Sequence, residues 1–196
     1  KTLPHAPPPV AAMVRLQLLT GMRPGEACSI RRRDVDESES PWVYRPERHK
    51  AEHHGRAREI PLGPQAQALL REWFTDDPAD YLFSPRRWMQ ERRLQRLAAR
   101  KTKPRPNELD GSKLQRQGGE KYTHTSYERA VARAAKKAGV PHWHPNQLRH
   151  AYATEVRRRF GLEASQVLLG HARADVTQIY AERDLKAAAR IADEIG

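Results

Sequence analysis

Between residues 8 and 22 apolar side chains recur at helical spacing, and the run is bracketed by Pro8-Pro9 and Gly21. Val10, Met13, Val14, Leu16, Leu18 and Leu19 form a face too broad for a surface helix, so the spacing predicts a core helix. Proline suits a first turn, where its missing N–H has no partner to lose, and glycine suits the position after the last turn. The same punctuation recurs downstream. Pro24 opens a short helix over 24–30, Pro64 one over 64–74, and Ser84-Pro85 one reaching about residue 100. Thr123 or Thr125 caps a helix to about 138, which packs through Tyr127, Val131, Ala134 and Ala138 and ends at Gly139. Further helices are expected at 146–159, 163–170, 174–182 and 184–194. Only 41–46 and 58–62 are rich in strand formers, and they read as one hairpin. The predicted fold class is mainly α with a small antiparallel β-sheet (α+β).

The chain has 196 residues, enough for one hydrophobic core or two small ones. No apolar run approaches the length of a membrane span, and KTLPHAPPPV has no signal-peptide core. A single cysteine, Cys28, excludes a disulfide framework and a cysteine-based zinc site, and it reads as a small buried apolar residue. A reducing, cytoplasmic setting with nucleoid association is the expectation. There are 36 Lys and Arg against 24 Asp and Glu, a formal net charge of +12. Residues 85–121 hold twelve of the basic and four of the acidic residues, a net of +8. Such a block suits a polyanion, and nucleic acid is the commonest one. Residues 84–121 read as a basic insertion, partly mobile at 101–121. Residues 1–9 read as a linker from a missing preceding domain, with one further domain over 10–196.

Several residues lie where cleft chemistry is placed. Arg23 in TGMRPGEA follows a helix stop, and Arg149-His150 begin a helix. His171 follows Leu169-Gly170, and Tyr180 comes nine residues later. A guanidinium presents paired donors that match two phosphate oxygens. Two of them neutralise the charge that grows on phosphorus in a pentavalent transition state. Beside such groups and a base, a tyrosine hydroxyl is able to attack phosphorus and hold it covalently. The leaving oxygen then takes a proton, which a nearby lysine supplies. With arginines carrying the charge, no metal or other cofactor is expected.

On these residues the sequence resembles the tyrosine recombinases (phage integrase family), over about residues 8–195. TGMRPGE at 20–26, Leu148-Arg149-His150, Leu169-Gly170-His171, and Tyr180 in VTQIYAERD match the family's motifs in order. The resemblance implies a catalytic-domain fold of that family over 10–196 behind a missing N-terminal DNA-binding domain, and an integrase or recombinase of a mobile element whose partner is double-stranded DNA. Its reaction would be DNA strand cleavage and rejoining through a 3′-phosphotyrosyl intermediate. It also implies roles. Arg23 and Arg149 bind the scissile phosphate, Tyr180 is the nucleophile, and His171 contacts the phosphate or assists proton movement. Lys50, in RHKAEHHGRAREIPL, matches the general acid. Glu26 braces the site and His150 supports it from behind. A homo-tetramer on DNA, docked through the helix at 184–194, is the implied assembly.

One position departs from the pattern. The family usually has His, sometimes Lys, three residues before the second arginine, and here Asn146 stands there. Asn donates a hydrogen bond but does not shuttle a proton. Asn146 is therefore expected to be a phosphate ligand, with His144 as an alternative source of the proton function. The same departure keeps open a catalytically impaired DNA-binding regulator, and the chemistry also fits a type IB topoisomerase-like relaxing enzyme. The spacing His142-x-His144, without cysteine, argues against zinc.

Overall fold

The computed structural model describes residues 1–47, 58–103 and 118–170. Helix α1 spans Pro8–Thr20 and stops at Gly21, whose backbone is left-handed at φ 65°. Val10, Met13 and Leu16 of α1 are fully buried, as their spacing predicts. Leu18 departs from that expectation and is 46% exposed. Two residues turn a helix by about 200°, so Leu18 points away from Leu16. Gln17 takes a place in the core instead and is fully buried.

Helix α2 spans Pro24–Ser29. A three-stranded antiparallel sheet follows, with β1 at Val35–Asp36, β2 at Trp42–Tyr44 and β3 at Ile60–Leu62, in the order β1-β2-β3. The expected hairpin is β2–β3, with Trp42 opposite Leu62 and Tyr44 opposite Ile60. Strand β1 is an addition, and it pairs Val35 with Tyr44. Into and along β3, Arg58, Ile60 and Leu62 are all buried on one face.

Helix α3 spans Pro64–Arg71 and buries Ala66 and Leu70. Helix α4 spans Pro85–Ala98, and the Ser84 hydroxyl accepts a hydrogen bond from the Arg87 N–H at 3.2 Å, as a cap should. None of its residues is buried. Helix α5 spans His124–Lys137 behind a Thr123 cap and packs through Tyr127, Val131 and Ala134. Helix α6 spans Asn146–Leu169 and is interrupted at Gly161, so two helical halves meet there, as expected. Helix α1 packs against α2, α3 and α6 and lies at the centre of the body.

The leader expected to run as a linker through residues 1–9 lies on this body. It forms a 3-10 turn at Leu3–His5, and α1 already begins at Pro8. Leu3 and Ala6 pack on the core, and the Trp143 indole N–H donates to the Thr2 hydroxyl at 3.2 Å. Apolar Leu3 and Ala6, next to α5 and Trp143, account for the docking. Most of the stretch expected as a mobile loop at 101–121, and the helices expected at 174–182 and 184–194, lie outside the described residues.

Candidate active site

The first arginine motif is a sharp turn between α1 and α2, held from three sides. The Gly21 N–H closes α1 on the Gln17 carbonyl at 2.8 Å. The buried Gln17 amide donates to the Met22 carbonyl at 2.9 Å and accepts from the Tyr127 hydroxyl of α5 at 2.9 Å. A buried amide satisfied on both sides fixes the turn relative to α5, because either partner lost would leave a buried polar group unpaired. Gly21 must be glycine on two counts. Its φ is positive, and a Cβ there would lie 2.2 Å from the Tyr152 ring.

Arg23 caps the start of α2 through Glu26. The Glu26 carboxylate accepts from the Arg23 backbone N–H at 2.6 Å and from its guanidinium at 3.1 Å. A carboxylate in a first helical turn is also favoured by the helix dipole. Glu26 is 4% exposed, so it holds Arg23 from beneath while the Arg23 side chain stays 29% exposed. The bracing role read for Glu26 thus has a geometric counterpart.

Arg149 lies in the first turn of α6 and is buried. Its Nη1 donates to the Gly21 carbonyl at 2.6 Å and its Nη2 to the Leu169 carbonyl at 2.6 Å. One guanidinium therefore ties the turn that carries Arg23 to the residue two before His171. The break at Gly161 makes this possible by folding the second half of α6 back on the first. The Ser165 hydroxyl, donating to the Ala153 carbonyl at 3.3 Å, fastens the two halves. A cation is well placed at the helix end, where the last carbonyls lack intrahelical partners.

A further buried arginine was not among the sequence candidates. Arg58, two residues before β3, donates from Nη1 to the Leu168 carbonyl at 3.3 Å. Its Nε lies 3.5 Å from Glu26 Oε1, the oxygen that Arg23 also contacts. Burial, opposed by the charge of Glu26, lowers its pKa from the ordinary guanidinium value. Gly170 sits against it, and a Cβ there would approach Arg58 Nη1 to 2.5 Å. The signal that reveals Arg58 in sequence is strand alternation: it is two residues before Ile60 and four before Leu62, on the inward face.

Asn146 and His150 are one turn apart, with Asn146 Nδ2 2.9 Å from His150 Nε2. Burial, then the neighbouring Arg149 charge, holds the His150 imidazole below its ordinary pKa. The neutral ring accepts the Asn146 amide proton. His144 is held through its Nδ1 by Glu128 of α5, and its ring packs edge-on against His142. Among the described residues no group of three or more His, Cys, Asp or Glu is able to hold a metal ion. Cys28 is buried, and burial raises its thiol pKa to about 12. Lys50, His171 and Tyr180 lie outside the described residues; of the other sequence candidates the structure pairs Arg23 with Glu26, ties Arg149 to the turn that carries Arg23, and pairs Asn146 with His150.

A mainly helical body with a three-stranded sheet, and arginine motifs tied across it, defines the class. The chain matches the model of the phage integrase family over residues 5–186, and it belongs to that family. It is 28% identical to tyrosine recombinase XerC of Chromobacterium violaceum over 93% of this chain and 50% of the relative. It is 31% identical to tyrosine recombinase XerC of Corynebacterium glutamicum over 87% of this chain and 45% of the relative. The chain thus spans about half the length of the curated relatives it matches. Among solved structures, the fold is similar to that of XerA recombinase, with a TM-score of 0.60 at 23% identity, covering 96% of this chain and 57% of that one. It is also similar to the XerH site-specific recombinase bound to difH substrate, with a TM-score of 0.55 at 22% identity, covering 93% of this chain and 46% of that one. Among the described residues no helix is long and apolar enough to cross a membrane.

Proposed function

We propose that this chain is the catalytic part of a site-specific DNA recombinase, cleaving and rejoining strands through a 3′-phosphotyrosyl intermediate. The observation that carries the reading is the Arg149 guanidinium, which joins the Arg23 turn to the end of α6 just before His171. A phosphate bound between Arg23 and Arg149 would meet groups already fixed in one frame, which is how electrostatic stabilisation avoids reorganisation at the moment of reaction.

The reaction balances simply. The Tyr180 hydroxyl passes its proton through His171 to solvent and forms a bond to phosphorus. The bond to the 5′ oxygen breaks, and that oxygen takes a proton from Lys50. Arg23 and Arg149 neutralise the charge on the non-bridging oxygens, with Asn146 donating a further hydrogen bond and His171 on the phosphate. Glu26 and His150 hold Arg23 and Asn146 in place. The phosphotyrosyl ester keeps the energy of the phosphodiester, so rejoining needs no ATP.

The DNA partner is read from the charge. Arg92 and Arg96 are exposed on α4, one turn apart, within the stretch of net charge +8. Assembly as a tetramer on two duplexes, through the C-terminal helix, completes the reading.

The test uses nicked duplexes with randomised sequence around the nick, which trap the intermediate by losing the leaving strand. The wild-type chain should give an SDS-stable protein–DNA adduct, and Tyr180→Phe should give none. DNA binding without any adduct would replace this reading with that of a binding-only regulator. Rapid relaxation of supercoiled DNA by a monomer, with no preferred sequence, would favour the topoisomerase-like alternative.

A further inference from the structure

Arg58 is a charged side chain in the interior whose Nε lies 3.5 Å from Glu26 Oε1 and whose Nη2 meets no hydrogen-bond partner among the described residues. A buried guanidinium carries a desolvation cost that only charge pairing and hydrogen bonds offset. Its neighbours indicate the use. On one side is Glu26 Oε1, shared with Arg23; on the other is the Leu168 carbonyl at the end of α6. It leads into β3, the second strand of the hairpin whose connection in sequence contains Lys50. Gly170 leaves room for the guanidinium, and any larger residue would displace it.

We infer that Arg58 is a positioning residue for strand cleavage, locking the hairpin, the Glu26–Arg23 pair and the α6 terminus into one frame; this rests on the function proposed above. Arg58 does not touch DNA. It acts through Glu26, which orients Arg23, and through the carbonyl end of α6, which sets where the chain leaves toward His171. A guanidinium is suited to this because its planar fork reaches partners on two sides, whereas a lysine ammonium reaches one. The second partner of the α6 end is Arg149, so two cations hold adjacent carbonyls, those of Leu168 and Leu169.

The experiment compares wild type, Arg58→Met, Arg58→Lys and Arg58→Ala for DNA affinity and for the single-turnover rate of adduct formation at saturating nicked duplex. The expected result is unchanged affinity with a rate lower by about 100-fold in Arg58→Met, the loss that follows a displacement of about 1 Å at a reacting centre. Arg58→Lys falls between. Guanidinium ion at millimolar concentration restores part of the rate to Arg58→Ala, which leaves a cavity, and none to Arg58→Met, which fills it. In the Glu26→Gln background, Arg58→Met costs less than it does in wild type, because the two act along one path. If Arg58→Met does not fold, Arg58→Lys decides. A full rate in the folded variants overturns the inference alone. So does a loss of affinity that accounts for the whole loss of rate. No adduct from wild type overturns the proposed function and this inference with it.

Discussion

Arg149 and Gly21, 128 residues apart in sequence, meet through a 2.6 Å hydrogen bond from guanidinium to carbonyl. The contact places the start of α6 against the turn from which Arg23 projects. It also explains why that turn is built around a residue without a side chain: the space a Cβ would fill belongs to Tyr152, one turn along α6 from Arg149.

Replacing Gly21 by alanine should therefore injure both the fold and the site. A left-handed residue with a Cβ costs about 1–2 kcal/mol before any contact is counted, and the Tyr152 ring must move as well. Thermal unfolding should show a lower midpoint, and adduct formation should fall further than stability alone explains.

Arg149→Lys should separate charge from geometry. A lysine keeps the positive charge but is unable to hold the Gly21 and Leu169 carbonyls together. Leaving one buried carbonyl unpaired costs about 1–3 kcal/mol. The variant should unfold at lower denaturant and form adduct at no more than about a hundredth of the wild-type rate, the size of loss expected when a preorganised donor is removed.

The helical body is readable from sequence because its elements are marked twice, by apolar spacing and by Pro, Gly, Ser or Thr at their ends. Ser84 and Thr123 cap the helices they were expected to cap, and the interruption of α6 falls at Gly161, inside the gap left between two predicted helices. Strand β1 escaped notice because Val35–Asp36 is too short to show alternation. Arg58 and Gln17 escaped because charge and polarity argue for the surface. Their burial depends on partners from distant segments, Glu26 and Leu168 for one, Met22 and Tyr127 for the other, and no local pattern names those partners. Arg23, Glu26 and Arg149 were readable as motifs; that Arg149 grips two carbonyls was not.

Cys28 offers a clean report on folding. It is 3% exposed, and burial lifts its thiol pKa to about 12, so almost no thiolate exists at pH 8. Iodoacetamide should leave the native protein unlabelled and modify Cys28 only as the protein unfolds. Rapid labelling under native conditions would show that α2 opens on its own.

Acidification should weaken the protein through His150. Its folded pKa lies below the ordinary imidazole value, with burial the first cause and Arg149 the second. As pH falls from 7, the unfolded chain takes up the proton first. Stability is then lost between the ordinary pKa and the lower folded one, and the loss is complete below both. Unfolding midpoints measured from pH 7.5 to 5 should fall less steeply in His150→Gln. Asn146→Ala, which removes both the amide donor to His150 and the proposed phosphate contact, should slow adduct formation about tenfold, the kinetic equivalent of about 1.4 kcal/mol. Cleavage at the wild-type rate would remove Asn146 from the site.

The basic face of α4 predicts a salt signature. If Arg92 and Arg96 each contact a phosphate, the slope of log affinity against log salt is shallower by about 1.8 when both become alanine, because two fewer counterions are released. Isothermal titration or fluorescence anisotropy at several salt concentrations measures it, and an unchanged slope would place DNA on another face.

The most direct measurement is to map the covalent bond itself. The trapped adduct is digested with nuclease and trypsin and its peptides are weighed. The account predicts a nucleotide joined through its 3′ phosphate to Tyr180, in the peptide ADVTQIYAER at 174–183, with a free 5′ hydroxyl on the departing strand. A nucleotide on any other residue, or a 5′ phosphate linkage to the protein, would contradict it.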